Sequence, residues 1–236
     1  MKKVIFIAFT SILAWIAFPS CNFQNNTFKE STSDTQSDQE VVVTHAIEEE
    51  PSFTSPDLQW AGVQGHVKSI IETHQNGSNS YKITYRFNEQ GRLTYMHNGG
   101  SGNTCQIHRV QNDKIHEIQE GEYPDDESTT YTYNADGYVI KTKGSWFQGG
   151  NEVSYTLNAN GCPSQETEES YGYFGNIEYQ HSYQSFYRYT ASDNEGNWTA
   201  CTKSSTLINF KSNDASYTPD VKQYTETITR KIEYYE

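Results

Sequence analysis

Apolar and polar residues alternate one by one in several segments of this chain beyond residue 57. In residues 81–87, Tyr, Ile, Tyr and Phe occupy the odd positions, and Lys, Thr and Arg occupy the even positions. Residues 153–157 and 224–234 show the same period of two, with Thr, Tyr, Ile and Val prominent. Since successive side chains of a β-strand point to opposite faces, this pattern predicts strands with one buried face and one polar face.

Short turn signals separate these strands. Asn88–Gly91, Asn134–Gly137 and Asn158–Gly161 share the form N-x-x-G, and Asp193–Gly196 repeats it with Asp in the lead. Asn or Asp at the first position and Gly at the fourth are typical of a type I turn that continues into a bulge. The pattern predicts an all-β fold, an antiparallel up-and-down meander of about eleven strands. We expect a strongly twisted or curled sheet that covers its aromatic face, with the four turns on one rim; an open single-layer sheet is the alternative.

The turns belong to a longer recurring phrase that resembles a known repeat. YRFNEQGRL (residues 85–93) and YTYNADGYV (131–139) match the aromatic-x-aromatic-Asp-x-x-Gly pattern of the tyrosine-aspartate (YD), or RHS-type, repeat, except that Asn replaces Asp. Residues 187–198 match with an insertion, and residues 155–163 are a degenerate copy. Residues 65–70 and 229–235 also resemble the ends of short repeat-bearing bacterial lipoproteins. The resemblance implies a β domain built from repeat-like hairpins and names no activity.

The N-terminus has the layout of an export signal. A basic start is followed by an apolar run to Phe18, then Pro19 and Ser20, which predicts a signal peptide over residues 1–20. Cys21 resembles the lipidated cysteine of bacterial lipoproteins; ordinary cleavage beside a chance cysteine is the alternative. We expect a lipid-anchored flexible linker over residues 21–56, because it is rich in Ser, Thr, Asn and Gln, and a YD-repeat-like β domain over residues 57–236. The predicted location is the cell envelope, at the outer membrane, with the lipid as membrane partner.

Charge and cysteine content exclude some functions. The formal net charge is −13, and loss of Lys2 and Lys3 with the signal would leave −15 (−13 − 2). Binding to nucleic acid requires clustered cations, so no nucleic-acid partner is expected. Beyond Cys21, three cysteines remain, Cys105, Cys162 and Cys201, which allow at most one disulfide among them.

The densest candidate feature is the tyrosine-rich segment over residues 177–190. Its odd positions include the four candidate binding residues, Tyr179, Tyr183, Tyr187 and Tyr189. Tyrosine offers a broad apolar face with a polar tip, so such a face could stack against a glycan or a protein partner. The alternative is core packing, since only 34% of the residues are hydrophobic.

Catalytic and metal-binding patterns are weak. His97, His108 and His116 lack the spacing of a known zinc motif, and no metal or other cofactor is expected. The carboxylate clusters, Asp125–Glu127 and Glu166, Glu168 and Glu169, are expected to be solvated, and Glu152 and Glu178 have no evident partner. We therefore expect no catalytic residues. The predicted function is a non-catalytic envelope lipoprotein that binds or scaffolds a partner; a glycan hydrolase or glycan-binding protein is the alternative.

Overall fold

The structure is a computed structural model that describes residues 53–110, 113–121, 127–159, 161–216 and 222–236. The predicted signal peptide, Cys21, most of the predicted linker, and Asp125 and Asp126 of the first carboxylate cluster lie outside the described residues. Within them the chain forms one short helix and twelve strands. The elements are α1 (Pro56–Ala61), β1 (Val67–Asn76), β2 (Asn79–Phe87), β3 (Leu93–Asn98), β4 (Asn103–Arg109), β5 (Ile115–Glu120), β6 (Ser128–Tyr133), β7 (Val139–Trp146), β8 (Gly149–Leu157), β9 (Pro163–Phe174), β10 (Ile177–Ser192), β11 (Trp198–Ser212) and β12 (Gln223–Tyr234).

The strands form a closed antiparallel barrel. Each strand pairs with its neighbours in sequence, and β1 also pairs with β12, through Ile70 opposite Ile232 and Thr73 opposite Thr229. The chain is thus all-β, but the predicted meander of about eleven strands is wrong in strand number and in closure. Closure gives both terminal strands a hydrogen-bonded partner on each side, so no unpaired edge remains.

The architecture also corrects the repeat-family resemblance. The YRFNEQGRL phrase joins β2 to β3, and the YTYNADGYV phrase joins β6 to β7. Both phrases connect strands of the same small barrel rather than successive hairpins of an elongated repeat shell. Their similarity to one another reflects the local chemistry of a type I turn between two half-buried strands.

Burial alternates along the strands and separates a hydrophobic interior from a polar exterior. The interior contains Ile70, Ile83, Tyr85, Met96 and Val153, each at most 2% exposed. The outward positions are mostly Thr, Ser, Gln, Lys and Arg. They include Thr73, Lys82, Thr84, Thr94, Gln106, Thr130, Lys143, Ser154, Thr167, Arg188, Thr202, Ser204, Thr225, Thr227, Thr229 and Lys231.

This arrangement is the reverse of the one that lipid requires. A barrel that spans a bilayer presents an apolar band about 25 Å tall, flanked by aromatic girdles, to the hydrocarbon. Here threonine and charged side chains occupy the middle of outward faces, and the exposed aromatic residues Tyr171, Tyr173 and Phe186 on β9 and β10 and Phe147 in the β7–β8 turn form no continuous girdle. The outer wall of the described barrel is therefore suited to contact with water.

The four predicted turns lie together at one end of the barrel. They join β2 to β3, β6 to β7, β8 to β9 and β10 to β11, and in an up-and-down barrel these connections share an end. The Asn88 side-chain oxygen accepts hydrogen bonds from the backbone N–H groups of Gln90 (3.1 Å) and Arg92 (2.9 Å). Gly91 follows with φ +72°, a conformation that a residue with a Cβ atom rarely adopts.

Helix α1 fills this end of the barrel. Ser55 caps its N-terminus by accepting a hydrogen bond from the Leu58 N–H at 3.1 Å, and Gly62 ends it with φ +71°. Asp57 accepts two hydrogen bonds from Arg109 of β4, at 2.6 and 2.7 Å. Gln59 donates to the Asp136 carbonyl in a predicted turn, at 2.6 Å. The predicted all-β fold did not include this helix, although Ser followed by Pro and a later Gly is a helix-terminus signal.

The Trp60 side chain packs helix α1 against the core. This side chain is fully buried and meets the rings of Tyr85 and Tyr131 edge-on, at centroid distances of 6.1 and 5.6 Å. Such edge-to-face pairs add to the gain from apolar burial. Within the described residues, no helix is long and apolar enough to cross a membrane.

Candidate functional site

We call the end of the barrel opposite α1 the mouth. On β10, the inward side chains of Tyr179, His181 and Tyr183 are half-buried, whereas Ser185 and Tyr187 farther along are buried. On β12, Tyr224 and Glu226 are half-buried, and Ile228 and Arg230 beyond them are buried. Burial of the inward positions thus increases from the mouth towards α1, so solvent reaches the upper interior wall.

Aromatic rings form a continuous row on this wall. Tyr179 and His181 stack with centroids 5.9 Å apart, and His181 meets Tyr183 edge-on at 5.3 Å. Tyr183 in turn meets Tyr224 of β12 at 5.8 Å, with the ring planes 67° apart. A shallow depression of about 410 Å³ lies along β11 and β12 and is lined by Ser204, Ser205, Thr206, Gln223, Tyr224 and Thr225, most of which face outward.

The structure divides the four predicted tyrosines between this row and the core. Tyr179 and Tyr183 line the mouth. Tyr187 is 9% exposed, and its hydroxyl group donates a hydrogen bond to Glu166. The Tyr189 hydroxyl group donates to the Pro163 carbonyl at 2.9 Å. Tyr187 and Tyr189 are therefore interior packing residues, and only the first two remain candidates for ligand contact.

Glu168 of β9 lies beside the aromatic row. One of its carboxylate oxygens accepts hydrogen bonds from the Asn151 side-chain amide (3.1 Å) and from the Ser170 hydroxyl group (2.8 Å). These two donors fix the carboxylate against the wall. No ion pair involves Glu168 within the described part of the chain.

A buried charge cluster, composed of Glu72, His74, Glu226 and Arg230, lies below the mouth on β1 and β12. Arg230 donates to Glu72 at 2.7 Å, and both side chains are at most 1% exposed. His74 places Nε2 at 2.7 Å from Glu72 and Nδ1 at 3.0 Å from Glu226. Because both ring nitrogens face carboxylate oxygens, both must carry hydrogen, and the ring is the imidazolium cation.

The charges in this cluster shift the pKa values of its members. Burial opposes a charged histidine, but the hydrogen bonds to Glu226 and Glu72 outweigh it and raise the pKa of His74 to about 9. Burial likewise raises the pKa of Glu72, yet Arg230 and His74 together hold that pKa below its ordinary value. Two carboxylates and two cations make the cluster electrically balanced.

The raised pKa of His74 predicts that stability falls with increasing pH. Its stabilising contribution is complete below about pH 6.5, the pKa of histidine in the unfolded chain, and is lost as the pH rises through about 9. We expect a loss on the order of 3 kcal/mol in the free energy of unfolding over this interval, measured by urea titration at several pH values. His74→Gln should remove this pH dependence, whereas the exposed control His116→Gln should retain it. An unchanged profile in His74→Gln would contradict the assignment.

A second buried charge pair lies deeper in the barrel wall. Lys203 Nζ of β11 is 2.5 Å from Glu166 of β9, and the two side chains are 7% and 0% exposed. Burial lowers the pKa of Lys203, but Glu166 outweighs it, so the pKa is raised and the amine stays protonated. Lys203 Nζ also lies over the Tyr187 ring, 5.7 Å from its centroid. Lys203 is therefore a structural residue, because a protonated, ion-paired amine does not act as a nucleophile.

The carboxylates singled out from the sequence lie in different surroundings. Glu152 lies on the outer wall in an ion pair with Lys141 (2.5 Å), and Glu178 is exposed. Glu166, by contrast, was expected to be solvated and is 1% exposed. That expectation was wrong because the stretch around it, which resembles a turn in composition, is an inward-facing strand opposite Lys203.

The structure shows where several of the histidines and cysteines considered in the sequence lie. His97 and His108 lie on the outer side of β3 and β4, and no group of three metal-ligating side chains occurs among the described residues. Cys105 and Cys201 are free and buried, and burial raises the pKa of each thiol to about 12. These two thiols are therefore unreactive at neutral pH.

Comparisons with known proteins do not assign a family. No family model matches the chain, and no curated protein matches it. They thus support neither part of the predicted class, the YD repeat or the lipoprotein. The crystal structure of a porin-like protein from Bacteroides uniformis aligns with 16% sequence identity and a TM-score of 0.27, covering 71% of this chain and 98% of that chain. A likeness this low gives no ground for transferring a function.

Proposed function

We propose that this protein is a non-catalytic binding protein of the bacterial cell envelope that takes its ligand at the mouth of the barrel. The observation that carries the proposal is the row of half-buried rings, Tyr179, His181, Tyr183 and Tyr224, on an interior wall that solvent reaches. Aromatic rings that are neither fully packed nor fully solvated are typical of ligand pockets, where a few fixed polar groups provide orientation. Glu168 and its two hydrogen-bond donors supply such a group.

The envelope location rests on the export signal that the sequence predicts over residues 1–20.

The proposal that the protein is non-catalytic rests on the ion pairs formed by carboxylates inside the barrel. Glu72, Glu166 and Glu226 are engaged with Arg230, Lys203 and His74. A glycoside hydrolase needs two carboxyl groups placed on either side of the bond to be cleaved, one of them as a proton donor. These three carboxylates are held in ion pairs and are therefore not free to act as such a pair.

Affinity capture from a bacterial envelope extract tests the proposal. The immobilised protein is compared with the Tyr179→Ala/Tyr183→Ala variant, and the retained compounds are identified by mass spectrometry. The matched control, Tyr171→Ala/Tyr173→Ala, removes two tyrosines from the outer face of β9, where they are 49% and 50% exposed. We expect the unchanged protein and the control to retain the same compounds, and the mouth variant to lose them.

Equal retention by all three proteins would contradict a ligand site at the mouth. Loss of retention only in the outer-face variant would indicate that the ligand binds on the exterior of β9 and not at the mouth.

A further inference from the structure

We propose that the mouth recognises an organic cation, an alkylated or protonated amine, in a cage formed by Tyr183, Tyr224 and His181 beside Glu168. The inference deepens the proposed function and rests on it, because it names the ligand class of the same site. It follows from the geometry of the rings, from the charges around them and from the polar atoms that face the mouth.

The rings meet at steep angles. The planes of His181 and Tyr183 are 75° apart, and those of Tyr183 and Tyr224 are 67° apart, with centroids separated by 5.3 and 5.8 Å. Successive rings therefore bound a corner instead of lying in one flat surface. A corner of aromatic faces is the arrangement that receives alkylated ammonium groups, since the negative face of each ring attracts the cation.

The charge of the wall favours a cation. Among the described residues, Glu166 and Glu168 are two carboxylates near one cation, Lys203, which is ion-paired to Glu166 at 2.5 Å. Both carboxylates interact electrostatically with Lys203 and Tyr224, and Glu168 also interacts with His181 and Tyr183. Because Lys203 balances one of the two carboxylates, one negative charge remains beside the rings. The cluster on β1 and β12 is balanced and does not offset it.

The cage itself contributes no competing positive charge. Burial holds the pKa of His181 below its ordinary value, against the opposing effect of Glu168, so the ring is neutral at pH 7. The same barrel already places cations over rings: the Arg230 guanidinium lies 3.7 Å from the Trp198 ring centroid. An anionic ligand would be repelled by Glu168, because among the described residues the neighbouring cation, Lys203, is already paired with Glu166. A neutral ligand would leave the charge of Glu168 unbalanced.

Titration with choline, followed by calorimetry on the purified protein, tests the inference. The comparison compound is its uncharged isostere, in which a tert-butyl group replaces the trimethylammonium group and shape is preserved. We expect saturable binding of choline and binding of the isostere weaker by about tenfold or more. Glu168→Gln and Tyr183→Leu should each weaken choline binding by about five- to tenfold. Tyr183→Phe, which keeps the ring, and Glu169→Gln, which changes an exposed neighbour, should leave the affinity within about twofold.

Equal affinity for choline and the isostere, or no saturable binding of choline, would overturn the cation assignment. If envelope compounds were still retained through Tyr179 and Tyr183, that result would contradict the cation assignment but not the proposed function. If they were not retained, it would contradict both.

Discussion

Glu72→Gln should destabilise the barrel by about 3–5 kcal/mol, because the change leaves the buried Arg230 guanidinium without its carboxylate partner. The Glu72 side chain is fully buried and that of Arg230 is 1% exposed, so water cannot replace the lost ion pair. Glu72 lies on β1 and Arg230 opposite it on β12, at the pairing that closes the barrel. Urea unfolding followed by circular dichroism measures the effect.

The matched control is Glu233→Gln, which removes an exposed ion pair to Lys231 on the same strand. Exposed pairs contribute at most about 1 kcal/mol. Glu72→Leu combined with Arg230→Leu should cost less than Glu72→Gln alone, because the double change removes both buried charges. If Glu72→Gln were as mild as Glu233→Gln, the buried charge cluster could not be present as described.

Trp60→Ala should also cost about 3–5 kcal/mol, because it deletes the fully buried ring that seats α1 in the barrel end. Trp60 is 0% exposed and contacts the rings of Tyr85 and Tyr131. The cavity would lie at the plugged end, so we also expect faster amide exchange in α1 than in the unchanged protein. Urea unfolding and hydrogen exchange provide the two measurements.

Phe147→Ala is the control, since Phe147 is 76% exposed in the turn between β7 and β8. Its removal should change the free energy of unfolding by no more than about 0.5 kcal/mol. Equal stability of the two variants would show that α1 is not packed into the core.

Local patterns predicted the strands and turns well, because period-two alternation and turn chemistry act over a few residues. The face that contains Tyr81, Ile83, Tyr85 and Phe87 is the inward face of β2, and the N-x-x-G turns share one end of the barrel. Closure was missed because it depends on pairs such as Ile70 and Ile232, which lie far apart in sequence. The recurring phrase was assigned to a repeat family, although the turn chemistry alone accounts for it.

The candidate site was predicted only in part, for a similar reason. The tyrosines on β10 were identified by their shared parity, but parity does not tell which end of a strand is buried. Tyr183 lies at the mouth and Tyr187 lies in the core. Glu168 was grouped with solvated carboxylates, because its partners Asn151 and Ser170 become evident only when β8 and β9 are aligned.

The central claim about the fold is that the outer wall of the barrel faces water, and spin-label accessibility tests it most directly. Nitroxide labels at Thr84→Cys on β2 and Thr202→Cys on β11 report on two outward positions; the unsubstituted protein controls for labelling of the buried Cys105 and Cys201. With phospholipid vesicles present, we expect frequent collisions with a water-soluble nickel chelate and no enhancement by oxygen, which concentrates in hydrocarbon. Protection from nickel together with strong oxygen broadening at both positions would place the wall in lipid and contradict the account.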